Sequence, residues 1–267
     1  MGTKMKHAPV YFTIAQIRFN TVWTLDSYAP AIQESMRKSG FPDAKKGFLA
    51  TFNLTPVSLP SGTLEGGQKQ VPVAQTTRYE FNNMEGTSGF TLDQGAISFQ
   101  TTDYDKFETF SGMLLKGLEI VHGAVGLSYY ERIGVRYLDA IFPKEGESVK
   151  SYLDGSVVGL AEKIEGQLVY SFSETVTDTP ACRVVSRALI QHGPLGFPPD
   201  LQPGPLKVPK RFENLSGTHA ILDNDGFYEQ RETFDVDKLR TRLLSIQKET
   251  SKSFRAAVSS YALSVWE

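Results

Sequence analysis

Two arginines at matching places in two apolar strands are the residues of this chain best suited to chemistry. Arg18 lies between Ile17 and Phe19, Arg136 lies between Val135 and Tyr137, and the two arginines are 118 residues apart. A guanidinium surrounded by apolar residues needs a partner, and its planar set of donors suits a phosphate or a carboxylate. The pattern predicts a small anionic ligand held by these two arginines, with Arg132 beside them.

The alternative interpretation of the arginines is structural. Buried charges in folded proteins are most often paired with an opposite charge of the same chain. Glu80, Glu131 and Glu174 lie in neighbouring predicted strands and could each accept an arginine. Both interpretations stay open at the level of sequence, and the environment of Arg18 and Arg136 distinguishes them.

Other sequence motifs resemble metal-binding or catalytic sites but have simpler structural explanations. Asp223-Asn-Asp-Gly226 and Glu232 resemble part of a calcium loop, but Ile221 stands where the first ligand would be. An Asn-Asp-Gly sequence is typical of a tight turn, and we predict a turn there. The four histidines are not spaced for a shared site, and Cys182, the one cysteine, lies in a strand-like run typical of an inert buried thiol. No catalytic residue, metal site or cofactor is predicted.

A proline-rich insertion over residues 192–213 interrupts the second half of the chain. Residues 192–209 hold six prolines and three glycines, which excludes a regular helix or a fully bonded strand. Four large apolar side chains nevertheless lie in it, and we expect them to pack on this chain's own sheet or on a partner. These candidate partner-binding residues are Leu195, Phe197, Leu201 and Leu206.

The elements that position these residues repeat along the chain. Residues 1–126 read as a strand, a helix, an antiparallel meander and a helix, and residues 127–267 read in the same order. We therefore predict an α+β fold in which two repeats form one compact unit with the helices on one face. This element order resembles the duplicated saddle of TATA-box-binding proteins, as an analogy of topology only.

Periodicity gives the boundaries of the predicted elements. The clearest are a strand over Val10–Phe19 and a helix from about Asp105 to His122, with Phe110 in its apolar stripe. A helix is expected around Val149–Ile164, and a long terminal helix begins at Asp235 and carries Leu243 in its core-facing stripe. The remaining predicted strands are Gly47–Leu54, Thr77–Phe81, Phe90–Leu92, Ala96–Thr101, Leu127–Ile141, Gln167–Val176, Cys182–Gln191, Thr218–Leu222 and Phe227–Arg231.

Composition and charge narrow the function classes. The 267 residues include 28 Lys and Arg against 30 Asp and Glu, and the net charge of −2 argues against nucleic acid as a partner. No apolar run is long enough for a membrane helix, and no signal peptide is recognisable, so we expect a cytoplasmic protein.

Short motifs spread over almost the whole chain resemble a sporadically distributed family of bacterial proteins of about this length. They are His7-Ala-Pro-Val10, Ile17-Arg-Phe19, Gly40-Phe-Pro42, Arg132-Ile-Gly-Val-Arg-Tyr-Leu-Asp139 and Leu222-Asp-Asn-Asp225. That family has no established activity, so the resemblance carries over no catalytic residue. It implies a bacterial origin and an accessory role in regulation or defence.

Together these patterns favour a non-enzymatic binding or regulatory protein that associates with a protein partner or with a second copy of itself. An enzyme or sensor for a small anionic ligand, with its site between the two halves, is the alternative from a different class. A nucleic-acid-binding saddle is the third hypothesis, against which the balanced charge counts.

Overall fold

The computed structural model describes residues 5–52, 73–201 and 203–267, and its centre is one open antiparallel sheet of ten strands. Nine strands follow the order β2-β3-β4-β5-β1-β6-β9-β8-β7, and β10 pairs with β6. The strands are β1 Val10–Phe19, β2 Asp43–Phe52, β3 Val73–Asn82, β4 Ser88–Leu92, β5 Ala96–Thr101, β6 Tyr129–Ile141, β7 Tyr170–Asp178, β8 Arg183–Pro194, β9 Ser216–Tyr228 and β10 Glu232–Thr233.

The helices pack on one face of the sheet, as the sequence predicts. Apolar residues at helical spacing, such as Leu118 and Leu243, are fully buried there against strand residues such as Ile17. Phe110 is buried in the same cluster, which confirms the predicted core position of that residue and of Leu243. The helices are α1 Leu25–Lys38, α2 Phe107–Val125, α3 Gly155–Val158, α4 Val236–Ala257 and α5 Ser260–Trp266.

The central strands β1 and β6 divide the sheet between the two halves of the chain. Outward from β1 come β5, β4, β3 and β2, and outward from β6 come β9, β8 and β7. In the antiparallel register of β1 with β6, Arg18 lies opposite Arg132 and Ile14 lies opposite Arg136. The halves are not identical in content, because two short 3-10 turns flank the single turn of α3 where the first half has α1.

Three predicted elements are wrong. The expected turn at Asp223–Gly226 is continuous strand within β9, because this segment pairs with β6 on one side and β8 on the other. The expected helix at Val149–Ile164 is broken into short turns that end at Leu153 and Gly159. The single terminal helix that the sequence predicts is two helices in the structure, because α4 ends at Ala257 and Ser260–Trp266 form α5. The Ser259 side chain caps α5 by accepting a hydrogen bond from the Ala262 N–H.

The close packing of α4 against β9 explains the glycine at position 226, and the sequence pattern does not indicate this packing. A β-carbon there would lie 2.6 Å from the Thr250 methyl group and 2.8 Å from that of Ile246, both on α4. Only glycine therefore lets α4 approach β9 so closely. The absence of a side chain at Gly226 lets α4 pack on the central strands. The turn prediction had instead explained this glycine by a positive φ.

Two further findings complete the fold. None of the described helices is both long enough and apolar enough to cross a bilayer. The predicted strand Gly47–Leu54 coincides with β2 as far as Phe52, and its last two residues lie outside the described residues.

Candidate functional site

Strand β6 presents different chemistry to the two faces of the sheet. Because successive side chains of a strand point to opposite faces, Tyr137 and Asp139 face the helices, whereas Arg136 and Leu138 face the other side. Arg136 meets acidic residues there, and Leu138 packs beneath the proline-rich insertion. Two separate polar clusters result, one on each face.

On the helix side, β6, β9 and α4 border a small, partly open cavity of about 140 Å³, which we call the helix-side cavity. The residues before β1 close one side of it, and Tyr104, just before α2, closes another. The lining consists of Met5, Ala8, Pro9, Val10, Tyr104, Tyr137, Asp139, Asn224, Gln247, Thr250, Ser251 and Phe254.

Asp139 is the one ionisable acid that lines this cavity. It is only 6% exposed, and no hydrogen-bond donor or cation among the described residues contacts its carboxyl. Burial, together with the negative charge of Asp223, raises the pKa of Asp139 to about 7. A buried carboxyl without a counter-ion destabilises a fold, and perturbed buried acids of this kind are concentrated at functional sites.

Two tyrosines beside Asp139 add unused polar groups. The Tyr137 hydroxyl is buried without a hydrogen bond of normal geometry, and its ring meets the Tyr104 ring edge to face at 5.6 Å. Burial raises the pKa of Tyr104 to about 12 and holds that of Tyr137 well above 10. Thr13, opposite Tyr137 in the β1–β6 register, also has a buried hydroxyl with no partner. Such a cluster is where a ligand or ordered water is expected.

Two other polar groups of the lining are already engaged. The Asn224 side-chain carbonyl accepts the Ser253 hydroxyl at 2.8 Å, and Ser253 also contacts Ser186. The Thr250 hydroxyl donates to backbone carbonyls one turn back in α4. The half-buried Gln247 and Ser251 side chains also line the cavity, and Asp139 is its buried charged group.

On the opposite face, Arg136 is the centre of an ion-pair cluster. Its Nε and Nη2 each donate to the Asp223 carboxylate at 2.7 Å, and Nη1 donates to Asp200 at 2.6 Å. Arg187 adds a weaker contact to Asp223 at 3.4 Å and binds Glu174 at 2.6 Å. Hydrogen bonding to Arg136 lowers the pKa of Asp200.

The proline-rich insertion runs across this face as a strap, which we define as residues 194–213. All four of its predicted contact residues pack on this chain's own sheet, where Leu206 is buried and Leu195, Phe197 and Leu201 are partly buried. Its backbone is bonded to the sheet as well, since Gly196 O accepts the Tyr11 hydroxyl at 2.8 Å. Whether these residues also bind a partner stays a prediction.

A larger cleft of about 840 Å³ lies at the edge of the strap. Two of its polar groups hold the strap in place: the Thr102 hydroxyl donates to Lys207 O at 2.6 Å, and Lys207 N donates to Gly86 O at 2.8 Å. We therefore regard the cleft as the margin of the strap. The smaller helix-side cavity has the free polar groups.

The three arginines proposed from the sequence do not meet in one pocket. Arg18 is about half exposed and binds Glu131 at 3.1 Å, which is one of the acidic partners weighed from the sequence. Arg132 lies over the Phe227 ring at 4.7 Å. The donors of Arg136 are occupied by Asp223 and Asp200, so shared binding of an anion by these arginines remains only a hypothesis.

Sequence reasoning did not identify Asp139, Tyr137 or Tyr104 as site residues. One signal was available, because Asp139 is the only acidic residue in the strand-like run Arg132–Ile141. Cys182 is buried, and burial raises the pKa of its thiol, which fits the predicted inert role. Within the part of the chain that is described, no three His, Cys, Asp or Glu side chains group as metal ligands would.

Comparisons of the chain with protein-family models, with curated proteins and with solved structures found no match. The family resemblance, the bacterial origin and the cytoplasmic location therefore stay predictions.

Substitution of Asp200 tests how much its ion pair with Arg136 stabilises the strap. Its side chain is 63% exposed, and Arg136 keeps Asp223 when Asp200 is removed. We expect Asp200→Asn to reduce the free energy of unfolding by less than about 1 kcal/mol in urea titrations. Asp178→Asn, which removes a similarly exposed partner of Arg183, is the matched control. A loss of several kcal/mol at Asp200 alone would show that the strap is latched by this contact.

Proposed function

We propose that the protein is a non-enzymatic binding protein whose ligand is a small molecule held in the helix-side cavity. The observation that carries this proposal is the Asp139 carboxyl, which is buried, faces the cavity and has no counter-ion among the described residues. A concave apolar site with a few convergent polar groups is the usual form of a small-molecule site.

The position of the cavity supports a site between the two halves of the chain. Tyr104 belongs to the first half, whereas Tyr137, Asp139 and Asn224 belong to the second. The order of strands outward from β1 and from β6 supports our further proposal that the fold is a duplicated, saddle-like unit. The cavity would then lie beside the junction of the two repeats.

The size of the cavity limits the ligand. A cavity of about 150 Å³ in another protein holds a benzene ring, so about 140 Å³ accommodates roughly five to seven non-hydrogen atoms. Ligands of that size reach millimolar to micromolar affinity when each atom contributes well. The proposal is therefore about a small metabolite or a terminal group of a larger one.

Screening by ligand-observed NMR against fragments of up to about seven heavy atoms tests the proposal. We expect hits on the wild-type protein that disappear in Ala8→Phe, whose ring would take up space at the wall of the cavity. Leu244→Phe, at an exposed position on the same α4 that lines the cavity, is the control and should keep the hits. If no fragment distinguishes wild type from Ala8→Phe, the proposal is wrong.

A further inference from the structure

We infer that the ligand of the helix-side cavity is a small organic cation, an alkylammonium group that binds against Asp139. This inference rests on the proposed small-molecule site and names the class of its ligand. It rests on the charges, the aromatic rings and the free polar atoms of the cavity.

Among the described residues, the charges that reach the cavity are negative. The described part of its lining contains one acid, Asp139, and no Lys, Arg or His. The acidic groups whose charges act on Asp139, Tyr104 and Tyr137 include Asp223 through the sheet and Glu108 near the start of α2. Arg136 on the other face is already engaged by Asp223 and Asp200. An anion would meet repulsion in this cavity, and a cation would supply the missing counter-ion.

Aromatic rings supply the second part of a cation site. Tyr104, Tyr137 and Phe254 line the same small volume as Asp139. The faces of such rings attract ammonium groups, and a carboxylate combined with rings is a common way to hold one. Apolar residues such as Met5 and Val10 would cover the hydrocarbon part of the ligand.

The free polar atoms fit the same ligand. An ammonium group donates up to three hydrogen bonds and accepts none. The Asp139 carboxylate offers acceptor oxygens without a competing donor, and the Tyr137 hydroxyl oxygen is a second unused acceptor.

Binding of a cation must be linked to the ionisation of Asp139. An alkylammonium stays protonated below about pH 10, so the pH dependence of its affinity arises from the protein. The carboxylate form of Asp139 binds the cation, and the fraction of this form falls about tenfold per pH unit below a pKa of about 7. The affinity should therefore be constant above about pH 8 and roughly 100-fold lower at pH 5.

Calorimetry with three probes of equal size, each of about six non-hydrogen atoms, tests the inference: cyclopentylammonium, cyclopentanol and cyclopropanecarboxylate. We expect the ammonium probe to bind at least tenfold more tightly than the alcohol at pH 8, to lose this advantage by pH 5, and to lose it in Asp139→Asn at both pH values. Asp225→Asn, an acid that lies opposite Arg136 on the other face, is the control and should bind as wild type does.

The possible failures are distinguishable. Equal or tighter binding of cyclopentanol or of the carboxylate at pH 8 overturns the cation inference and leaves the small-molecule site intact. Ammonium binding that is unchanged in Asp139→Asn also overturns it, because the charge partner is then elsewhere. If none of the three probes binds and the fragment screen is also negative, both the inference and the proposed function are wrong.

Discussion

Asp139→Asn is expected to raise the free energy of unfolding at pH 8 by on the order of 2–4 kcal/mol. The pKa of Asp139 is about 7 in the folded protein against an ordinary value of 3.8, and each unit of difference corresponds to about 1.4 kcal/mol. Above pH 7 the folded wild type must hold an unpaired buried carboxylate. Asparagine has the same shape and no charge to desolvate.

The sign of the pH dependence follows from proton binding. Between about pH 4 and pH 7 the folded state keeps the proton of Asp139 and the unfolded state has released it. Unfolding then releases a proton, so the contribution of Asp139 to stability falls as the pH rises through this window. Below pH 4 both states are protonated, and the wild type and Asp139→Asn should be about equally stable.

Urea titration of both proteins at pH 4, 5, 6 and 8 measures this difference. Groups such as Glu34 and Glu232, whose hydrogen bonds lower their pKa values, shift stability in the opposite direction, but they are common to both proteins and cancel in the comparison. A difference between the two proteins that does not change with pH would mean that Asp139 is ionised and paired in the folded state.

A stabilising substitution at Asp139 would also support the proposed site. Residues that destabilise the fold and are nevertheless retained are typical of binding and catalytic sites. Ligand binding would then restore part of the lost stability, since any molecule that binds only the folded state stabilises it. The gain from Asp139→Asn and the loss of ligand binding should appear in the same variant.

The local patterns of the sequence predicted much of the fold. The apolar run of β1 and the three-and-four spacing of Phe107, Phe110 and Leu114 in α2 are strong signals, and both elements are present. The helices lie on one face because each helix has one apolar stripe to bury. These features depend on residues close together in the chain.

Features that depend on distant partners were missed. Asp223-Asn-Asp-Gly226 reads as a turn by composition, but two neighbouring strands pair with it and Arg136 neutralises Asp223. The helix-side cavity was invisible for the same reason, because it exists only where α4 lies across β6 and β9. A local pattern carries no information on which helix will cover a strand.

Breaking the Arg136 ion pair is expected to destabilise the protein strongly. In Arg136→Met, the Asp223 carboxyl, which is 4% exposed, would lose its main partner and retain only the 3.4 Å contact from Arg187. Leaving a buried charge without its partner typically destabilises a protein by about 3–5 kcal/mol. Urea titration at pH 8 should show a loss of that size.

The matched control is Arg18→Met, the same substitution at the arginine that the sequence placed as its counterpart. Arg18 is 47% exposed and its partner Glu131 is 31% exposed, so water replaces the pair and the loss should stay below about 1 kcal/mol.

The double variant Arg136→Met, Asp223→Leu removes both charges and should recover much of the loss, because a buried ion pair is often replaceable by apolar residues. If Arg136→Met and Arg18→Met destabilise the protein equally, the Arg136 cluster is open to water and the strap does not bury it. If the double variant is no more stable than Arg136→Met, the loss comes from side-chain packing, and the unpaired charge of Asp223 is not its cause.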